Sequence, residues 1–145
     1  MFRRALLVAV VMFLNFPAAT VWAAEPTPAE LLQHSKRILF LGDSITAAGV
    51  YVADFDAWLV TGARGAKHNP VVIDGGLPSE TVSGLSEEGH AGGAFPRPDL
   101  GERLDRVLKL AKPDLVIACY GINCGIYQPF DEARFEKYQS GMRKL

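Results

Sequence analysis

The chain has 145 residues, of which 49% are hydrophobic and 21% are charged, and its formal net charge at pH 7 is -1. This is the composition of a globular protein, and the length is enough for one modest core and no more than one domain. The sequence has neither a basic stripe nor an excess of positive charge, so nucleic acid is not an expected partner.

The first 23 residues have the three parts of a secretory signal peptide. Arg3 and Arg4 form a positive start, residues 5–13 form an apolar run, and Val21 and Ala23 fit the small-residue rule for signal peptidase. We therefore predict a signal peptide over residues 1–23, with cleavage after Ala23. Loss of the two arginines moves the formal net charge of the remaining chain from -1 to -3.

The apolar run of this leader is too short for a transmembrane helix. A membrane span needs roughly 20 apolar residues, and Pro17 interrupts the stretch. No cysteine follows the run, as a lipoprotein anchor would require. We expect a secreted or periplasmic protein without a stable membrane anchor, in which residues 24–36 form a polar lead-in with a short helical turn.

Three short apolar runs predict the strands of a buried parallel sheet. Apolar runs bounded by glycine are typical of strands that are covered on both faces. The predicted strands cover residues 37–41, 71–73 and 115–120, and the predicted helices cover residues 54–60, 100–111 and 131–145. Phe55, Trp58 and Leu59 share one face of the first helix.

The predicted helix over residues 100–111 has the clearest local signals. Asp99 can cap its start, and Glu102, three residues later, gives a capping-box pattern. Pro113 marks its end. Its apolar stripe consists of Leu100, Leu104, Val107, Leu108 and Ala111.

A long loop over residues 77–98 connects the second strand to this helix. It contains four glycines and three prolines. Loops of this length inside a compact domain tend to be functional or mobile. This loop is therefore a candidate wall for a pocket.

The alternation of strands and helices predicts an α/β fold, with a parallel sheet covered by helices on both faces. In such folds the chemistry lies at the carboxyl ends of the strands. We therefore expect three segments to converge in space: Gly42-Asp43-Ser44, Gly75-Gly76 and Gly121-Ile122-Asn123.

These strand ends offer the parts of an acyl-transfer site. Ser44 leaves a strand and enters a helical segment, where its hydroxyl would be exposed and backbone N–H groups could serve a developing oxyanion. A backbone N–H from Gly76 and the side-chain amide of Asn123 would complete the set of donors. Each of these residue types is common in caps and turns, but their occurrence at three consecutive strand ends favours a site.

The same residues resemble the signature blocks of the GDSL/SGNH hydrolase family. Residues 41–46 resemble the first block and residues 71–81, with Gly76, resemble the second. Gly121-Ile122-Asn123 resembles the third block, which is usually Gly-x-Asn-Asp. The similarity extends from near Arg37 to the end of the chain.

The resemblance implies a three-layer α/β/α sandwich with a flavodoxin-like parallel sheet, the SGNH hydrolase fold, of which this chain would be an N-terminal part, incomplete at the C-terminus. It implies ester hydrolysis through an acyl-enzyme, with Ser44 as the nucleophile. The Ser44 N–H, the Gly76 N–H and the Asn123 side chain would form the oxyanion hole. No metal or organic cofactor is implied, and the substrate would be an acyl or acetyl ester of a carbohydrate or another small molecule.

The sequence departs from the family pattern at two places. Cys124 stands where the family usually has Asp after Asn123, so the oxyanion donor is kept but looser positioning of its loop is expected. The family's catalytic base comes from an Asp-x-x-His block near the C-terminus, which this sequence lacks. Without a base, a serine hydroxyl is a poor nucleophile.

None of the three histidines has an Asp three residues before it, so the Asp-x-x-His block is at best approximated. Glu87 and His90 have the Glu-x-x-His spacing, although a solvated loop histidine is the commoner explanation for such a residue. His34 and His68 are expected at the surface.

Cys119 and Cys124 are predicted to be unpaired, buried or half-buried thiols, because cysteines so close along extended chain often point apart.

Two functions of different classes are open. The first is a secreted serine ester hydrolase whose C-terminal part is absent from this chain. The second is a non-catalytic exported binding protein that keeps the pocket and lacks the base. A phosphate-binding flavodoxin-like module is disfavoured, since the Gly-Asp-Ser loop offers few successive N–H groups and Asp43 would repel an anion.

The resemblance also implies that the first strand lies between the second and the third. The third strand, apolar at every position, would then form a sheet edge, which is an aggregation hazard. Three strands are also few beside the usual sheet of about five to six. We therefore expect residues 24–145 alone to be an incomplete and inactive domain.

Overall fold

The computed structural model describes residues 25–61 and 69–145. Within these residues the chain is a mixed α/β fold with five α-helices and one parallel sheet of three strands. The predicted signal peptide and His68 lie outside the described residues. No helix in the described part of the chain is long and apolar enough to cross a membrane.

The strands and helices alternate along the chain, as predicted. The strands are β1 (Arg37–Gly42), β2 (Val71–Asp74) and β3 (Leu115–Cys119). The helices are α1 (Pro28–His34), α2 (Ser44–Ala47), α3 (Val50–Thr61), α4 (Leu100–Ala111) and α5 (Glu132–Lys144). The long loop before α4 contains one short 3₁₀ segment, His90–Gly93.

The sheet has the order β2-β1-β3 with all strands parallel, which confirms the expected strand order. In the register of the sheet, Leu39 of β1 pairs with Ile73 on one side and with Val116 on the other. β1 is the best-buried strand, since Ile38, Leu39 and Leu41 are 0% exposed. β3 lies at an edge, and its Val116 is 37% exposed.

Alternate residues of β1 pack into two hydrophobic clusters. Leu39 and Leu41 pack with residues of α4 and α5. Ile38 and Phe40 pack with residues of α3 and with Leu32 of α1. Helices therefore pack on both sides of β1, the strand that precedes Ser44.

The start of α3 differs from the prediction. The helix begins at Val50, four residues before the predicted Asp54. Gly49, with a φ of 75°, supplies the left-handed turn that separates α3 from α2. Burial of Val52 in the second cluster favours the helical path over the strand preference of the residues around it.

α4 has the predicted apolar face, but its cap differs from the predicted capping box. In a capping box the Asp99 side chain would accept the N–H of Glu102. It accepts instead the N–H of Gly101, at 3.0 Å. A complete capping box occurs instead at α1, between Thr27 and Glu30. The predicted stripe of α4 packs into the first cluster and consists of Leu100, Leu104, Val107, Leu108 and Ala111.

The two cysteines are unpaired, as predicted. Cys124 is 3% exposed. Cys119, however, is exposed, so the prediction of a buried or half-buried thiol is wrong for this residue. The reason is that Cys119 is the last residue of β3, which is an edge strand of the sheet that the described residues form.

Candidate functional site

The carboxyl ends of the three parallel strands lie at the same end of the sheet. In the register of the sheet, Gly42 of β1 pairs with Cys119 of β3. Beyond the end of β2, the Leu77 N–H donates to the Gly42 carbonyl at 2.9 Å. The segments that leave this end of the sheet carry the predicted site residues Ser44, Gly76 and Asn123.

Ser44 is exposed and is the first residue of α2. Asp43, 2% exposed, caps this helix, because its carboxylate accepts the Ile45 N–H at 2.9 Å. The fully buried Thr46 shares a hydrogen bond of 2.7 Å with the hydroxyl of Tyr51, whose pKa is raised by burial. Residues on both sides of Ser44 thus hold the short helix in place, while Ser44 stays accessible.

Gly42 and Gly76 occupy positions where a side chain does not fit. A Cβ atom at Gly42 would lie 1.9 Å from the Thr46 hydroxyl oxygen. A Cβ atom at Gly76 would lie 2.2 Å from the backbone nitrogen of Ala47. The backbone of Gly76 therefore packs directly on α2, the helix that begins with Ser44.

The Gly76 N–H already has a hydrogen-bond acceptor. It donates to the carboxylate of Asp74 at 2.8 Å, in the turn that ends β2. Asp74 is exposed. An oxyanion at this site would share the donor with the Asp74 carboxylate or replace it.

Asn123 is 3% exposed, and two partners orient its amide. Its Nδ2 donates to the backbone carbonyl of Glu80 at 3.4 Å, and its Oδ1 accepts from the hydroxyl of Tyr127 at 3.2 Å. The bond to Glu80 joins the loop after β3 to the loop after β2. The structure thus brings Asn123 to the segment that follows Gly76.

A buried ionic network lies behind these strand ends, and the sequence did not indicate it. Glu80 is 0% exposed. Its carboxylate accepts from the Arg103 Nε at 2.5 Å, the Arg103 Nη2 at 2.7 Å and the Tyr120 hydroxyl at 2.6 Å. Arg103 also donates to the Gly75 carbonyl at 2.8 Å. The network connects the loop after β2 with α4 and with the end of β3.

Electrostatics keep this network in its hydrogen-bonded form. The hydrogen bonds that Arg103 donates to the Glu80 carboxylate raise the pKa of the Arg103 guanidinium above its ordinary value. Burial, followed by the adjacent Glu80 carboxylate, raises the pKa of the Tyr120 phenol. Both partners of Glu80 therefore remain proton donors throughout the physiological pH range.

The Glu87–His90 pair belongs to a second ionic cluster, in the long loop. Arg97, 7% exposed, donates to both carboxylate oxygens of Glu87 at 2.6 Å, and this pairing lowers the pKa of Glu87 from 4.5 to about 2. His90 Nδ1 lies 3.4 Å from the Glu87 carboxylate, and its ring packs edge-on against Phe95. The side chain of His90 is 12% exposed, so the expectation of a solvated histidine is wrong.

The structure also places His34 and Cys124, which the sequence analysis singled out. His34 is exposed at the end of α1, as predicted. Cys124, at the position of the family's usual Asp, is buried, and its N–H donates to the Gly121 carbonyl at 2.9 Å. In residues 25–61 and 69–145, no group of three or more His, Cys, Asp and Glu side chains could hold a metal ion.

No protein-family model, no curated protein and no solved structure matches this chain. The resemblance to the GDSL/SGNH blocks is therefore carried by the motif residues themselves. Their positions at three neighbouring strand ends define a candidate serine site on an α/β fold.

Proposed function

We propose that this chain is a secreted serine ester hydrolase of the SGNH kind, or the N-terminal part of one. The observation that carries the proposal is the accessible Ser44 at the start of α2, with the backbone of Gly76 packed on the same helix. Helices on both sides of the central strand support the finer fold proposal, a three-layer α/β/α sandwich with a flavodoxin-like sheet. Export through the leader over residues 1–23 is part of the proposal.

The proposed reaction begins when the Ser44 oxygen adds to the carbonyl carbon of the ester while a general base takes the hydroxyl proton. The carbonyl oxygen becomes an oxyanion. When this intermediate collapses, the bond to the alkoxide breaks, and the alkoxide leaves as an alcohol after it receives the proton from the base. Water then hydrolyses the acyl-serine and restores Ser44. We assign the base to no described residue.

The oxyanion would be held by the Ser44 N–H, the Gly76 N–H and the Asn123 side chain. An asparagine Nδ2 carries two protons, and the Glu80 carbonyl takes one of them. The second proton is the one that we assign to the oxyanion. The proposed substrate is an acyl or acetyl ester of a carbohydrate or another small molecule, and the reaction uses no cofactor.

Substitution of Ser44 tests this proposal. In the longest product that the gene encodes, Ser44→Ala should lower kcat for p-nitrophenyl acetate by several orders of magnitude, as removal of other serine nucleophiles does. Ser140→Ala is the matched control, since Ser140 is an exposed serine on α5, and it should keep full activity. Hydrolysis that persists in Ser44→Ala would overturn the proposal.

A second candidate is an exported protein that binds its ligand at this site without catalysis. It is favoured by the hydrogen bond from the Gly76 N–H to Asp74, which occupies one of the proposed oxyanion donors. Saturable binding of an acetylated sugar, with no turnover and no dependence on Ser44, would decide for this candidate.

A further inference from the structure

Tyr127 is 68% exposed, yet its hydroxyl turns back to a buried atom. It donates to the Oδ1 atom of Asn123 at 3.2 Å. Because the amide group is planar, a partner that holds Oδ1 also sets the directions of the two Nδ2 protons. The backbone carbonyl of Glu80, 3.4 Å from Nδ2, acts on the opposite side of the amide. These two contacts together determine where the second proton points.

The backbone that presents Tyr127 has an unusual conformation. Ile126 has a φ of 49° and Tyr127 has a φ of 53°, both in the left-handed region. This region is uncommon for non-glycine residues and is especially unfavourable for a β-branched one. Strained residues of this kind persist where the surrounding structure holds them, and they cluster at functional sites. Two backbone bonds close the turn, from Ile126 to Asn123 at 3.0 Å and from Gln128 to Gly125 at 3.1 Å.

Arg97 holds the ring of Tyr127 from the long loop. The guanidinium carbon lies 5.1 Å from the centroid of the ring, which is within range of a cation–π interaction. Arg97 is itself fixed by the carboxylate of Glu87 and by a bond of 3.4 Å to the Ser79 carbonyl. The long loop therefore positions Tyr127, and Tyr127 positions Asn123.

We propose that Tyr127 is a positioning residue that directs the Asn123 amide at the oxyanion. This role rests on the proposed function, in which Asn123 is an oxyanion donor. Tyr127 acts through Asn123 and does not itself contact the reacting atoms. The amide is oriented by its two hydrogen-bond partners, the Tyr127 hydroxyl and the Glu80 backbone carbonyl.

A pair of conservative variants tests the role, in the longest product that the gene encodes and with p-nitrophenyl acetate as substrate. Tyr127→Phe keeps the ring over Arg97 and removes the hydroxyl, and it should lower kcat about tenfold with KM unchanged. Tyr138→Phe is the matched control, because its hydroxyl makes a bond of the same 3.2 Å length to the backbone carbonyl of Tyr120. It should keep its kcat. An unchanged kcat in Tyr127→Phe would overturn the role.

A double-mutant cycle separates positioning from a general structural effect. If Tyr127 acts through Asn123, adding Tyr127→Phe to Asn123→Ala should lower kcat no further than Asn123→Ala alone, which costs about 10²–10³. A structural role elsewhere would lower kcat by the same factor in both backgrounds. That multiplicative result would overturn the proposal.

The Asn123 amide also gives a readout that does not depend on turnover. In ¹H–¹⁵N spectra, Tyr127→Phe should shift the two Nδ2 proton resonances, which Asn123→Ala identifies, and Tyr138→Phe should leave them in place. Resonances that do not move would overturn the role.

Hydrolysis that is absent or independent of Ser44 would overturn the proposed function and this role together. Ser44-dependent hydrolysis at full rate in Tyr127→Phe would overturn only the role of Tyr127.

Discussion

The loops that follow β2 and β3 both reach the candidate site, but different interactions hold them. Two ion pairs, Glu80–Arg103 and Glu87–Arg97, anchor the loop after β2, and the side chains of both arginines are largely buried. The loop after β3 is closed by backbone turn bonds. Several of its large apolar side chains are exposed: Ile122, Tyr127 and Phe130.

The loop after β3 depends on the loop after β2 for its arrangement. A charge that loses its partner in a buried site is costly, so the ion pairs hold the loop after β2 in one arrangement. The loop after β3 then receives its order from that loop, through the bond from Asn123 to Glu80 and the contact of Tyr127 with Arg97. A change in the first loop should therefore disturb both, whereas a change in the second should stay local.

The largest expected effect comes from breaking the buried pair. Arg103→Ala leaves the fully buried Glu80 carboxylate without its cation and should lower the free energy of unfolding by about 3–5 kcal/mol, measured by urea denaturation. Arg106→Ala, at an exposed arginine of the same helix, should change it by less than about 0.5 kcal/mol. If the two variants unfold alike, the pair does not anchor the loop after β2.

Glycines of the two loops should differ in their tolerance of a methyl group. Gly76→Ala places a Cβ against the backbone of Ala47 and should cost about 1–3 kcal/mol of unfolding free energy. Gly125→Ala, in the loop after β3, meets nothing within 4 Å and should change the free energy by less than about 0.5 kcal/mol. Thermal and urea unfolding of both variants measure the difference. Equal costs would contradict the tight contact between Gly76 and α2.

The smallest expected effect is a pH dependence of the Glu87–Arg97 pair. Arg97 lowers the pKa of Glu87 from 4.5 to about 2, so the folded chain binds this proton less readily than the unfolded chain. The stabilisation is therefore complete above pH 4.5 and is lost as the pH falls towards 2.

The difference in Tm between wild type and Glu87→Gln measures this effect. It should be largest at neutral pH and should shrink through that window. Glu88→Gln, at the exposed neighbouring residue, is the control for the loss of one carboxylate. A difference between wild type and Glu87→Gln that is constant from pH 7 to pH 2 would contradict the lowered pKa.

Much of the fold could be predicted from local patterns. The apolar runs of β1, β2 and β3 end at glycines or at Asp-Gly, and the stripe of α4 repeats with the helical period. The start of α3 could not be predicted in this way, because residues with strand preference become helical when Val52 is buried against β1. The exposure of Cys119 could not be predicted in this way, because an apolar run does not show how far the last residue of an edge strand is covered.

The residues of the candidate site also fall into two groups, those that the sequence indicates and those that it does not. The places of Ser44, Gly76 and Asn123 beyond the strand ends could be predicted, because the apolar run of each strand is readable in the sequence. Glu80 could not, since its burial depends on Arg103, which is 23 residues further along the chain. Tyr127 could not be predicted either, because its approach to Asn123 requires a left-handed backbone that a tyrosine rarely adopts.

The central position of β1 affects how such a chain can change in evolution. β1 has a strand on each side and helices on both faces, so a substitution in one outer strand leaves the packing on the other side of β1 in place. The position of the serine at the end of β1 can therefore be inherited while the flanking loops diverge.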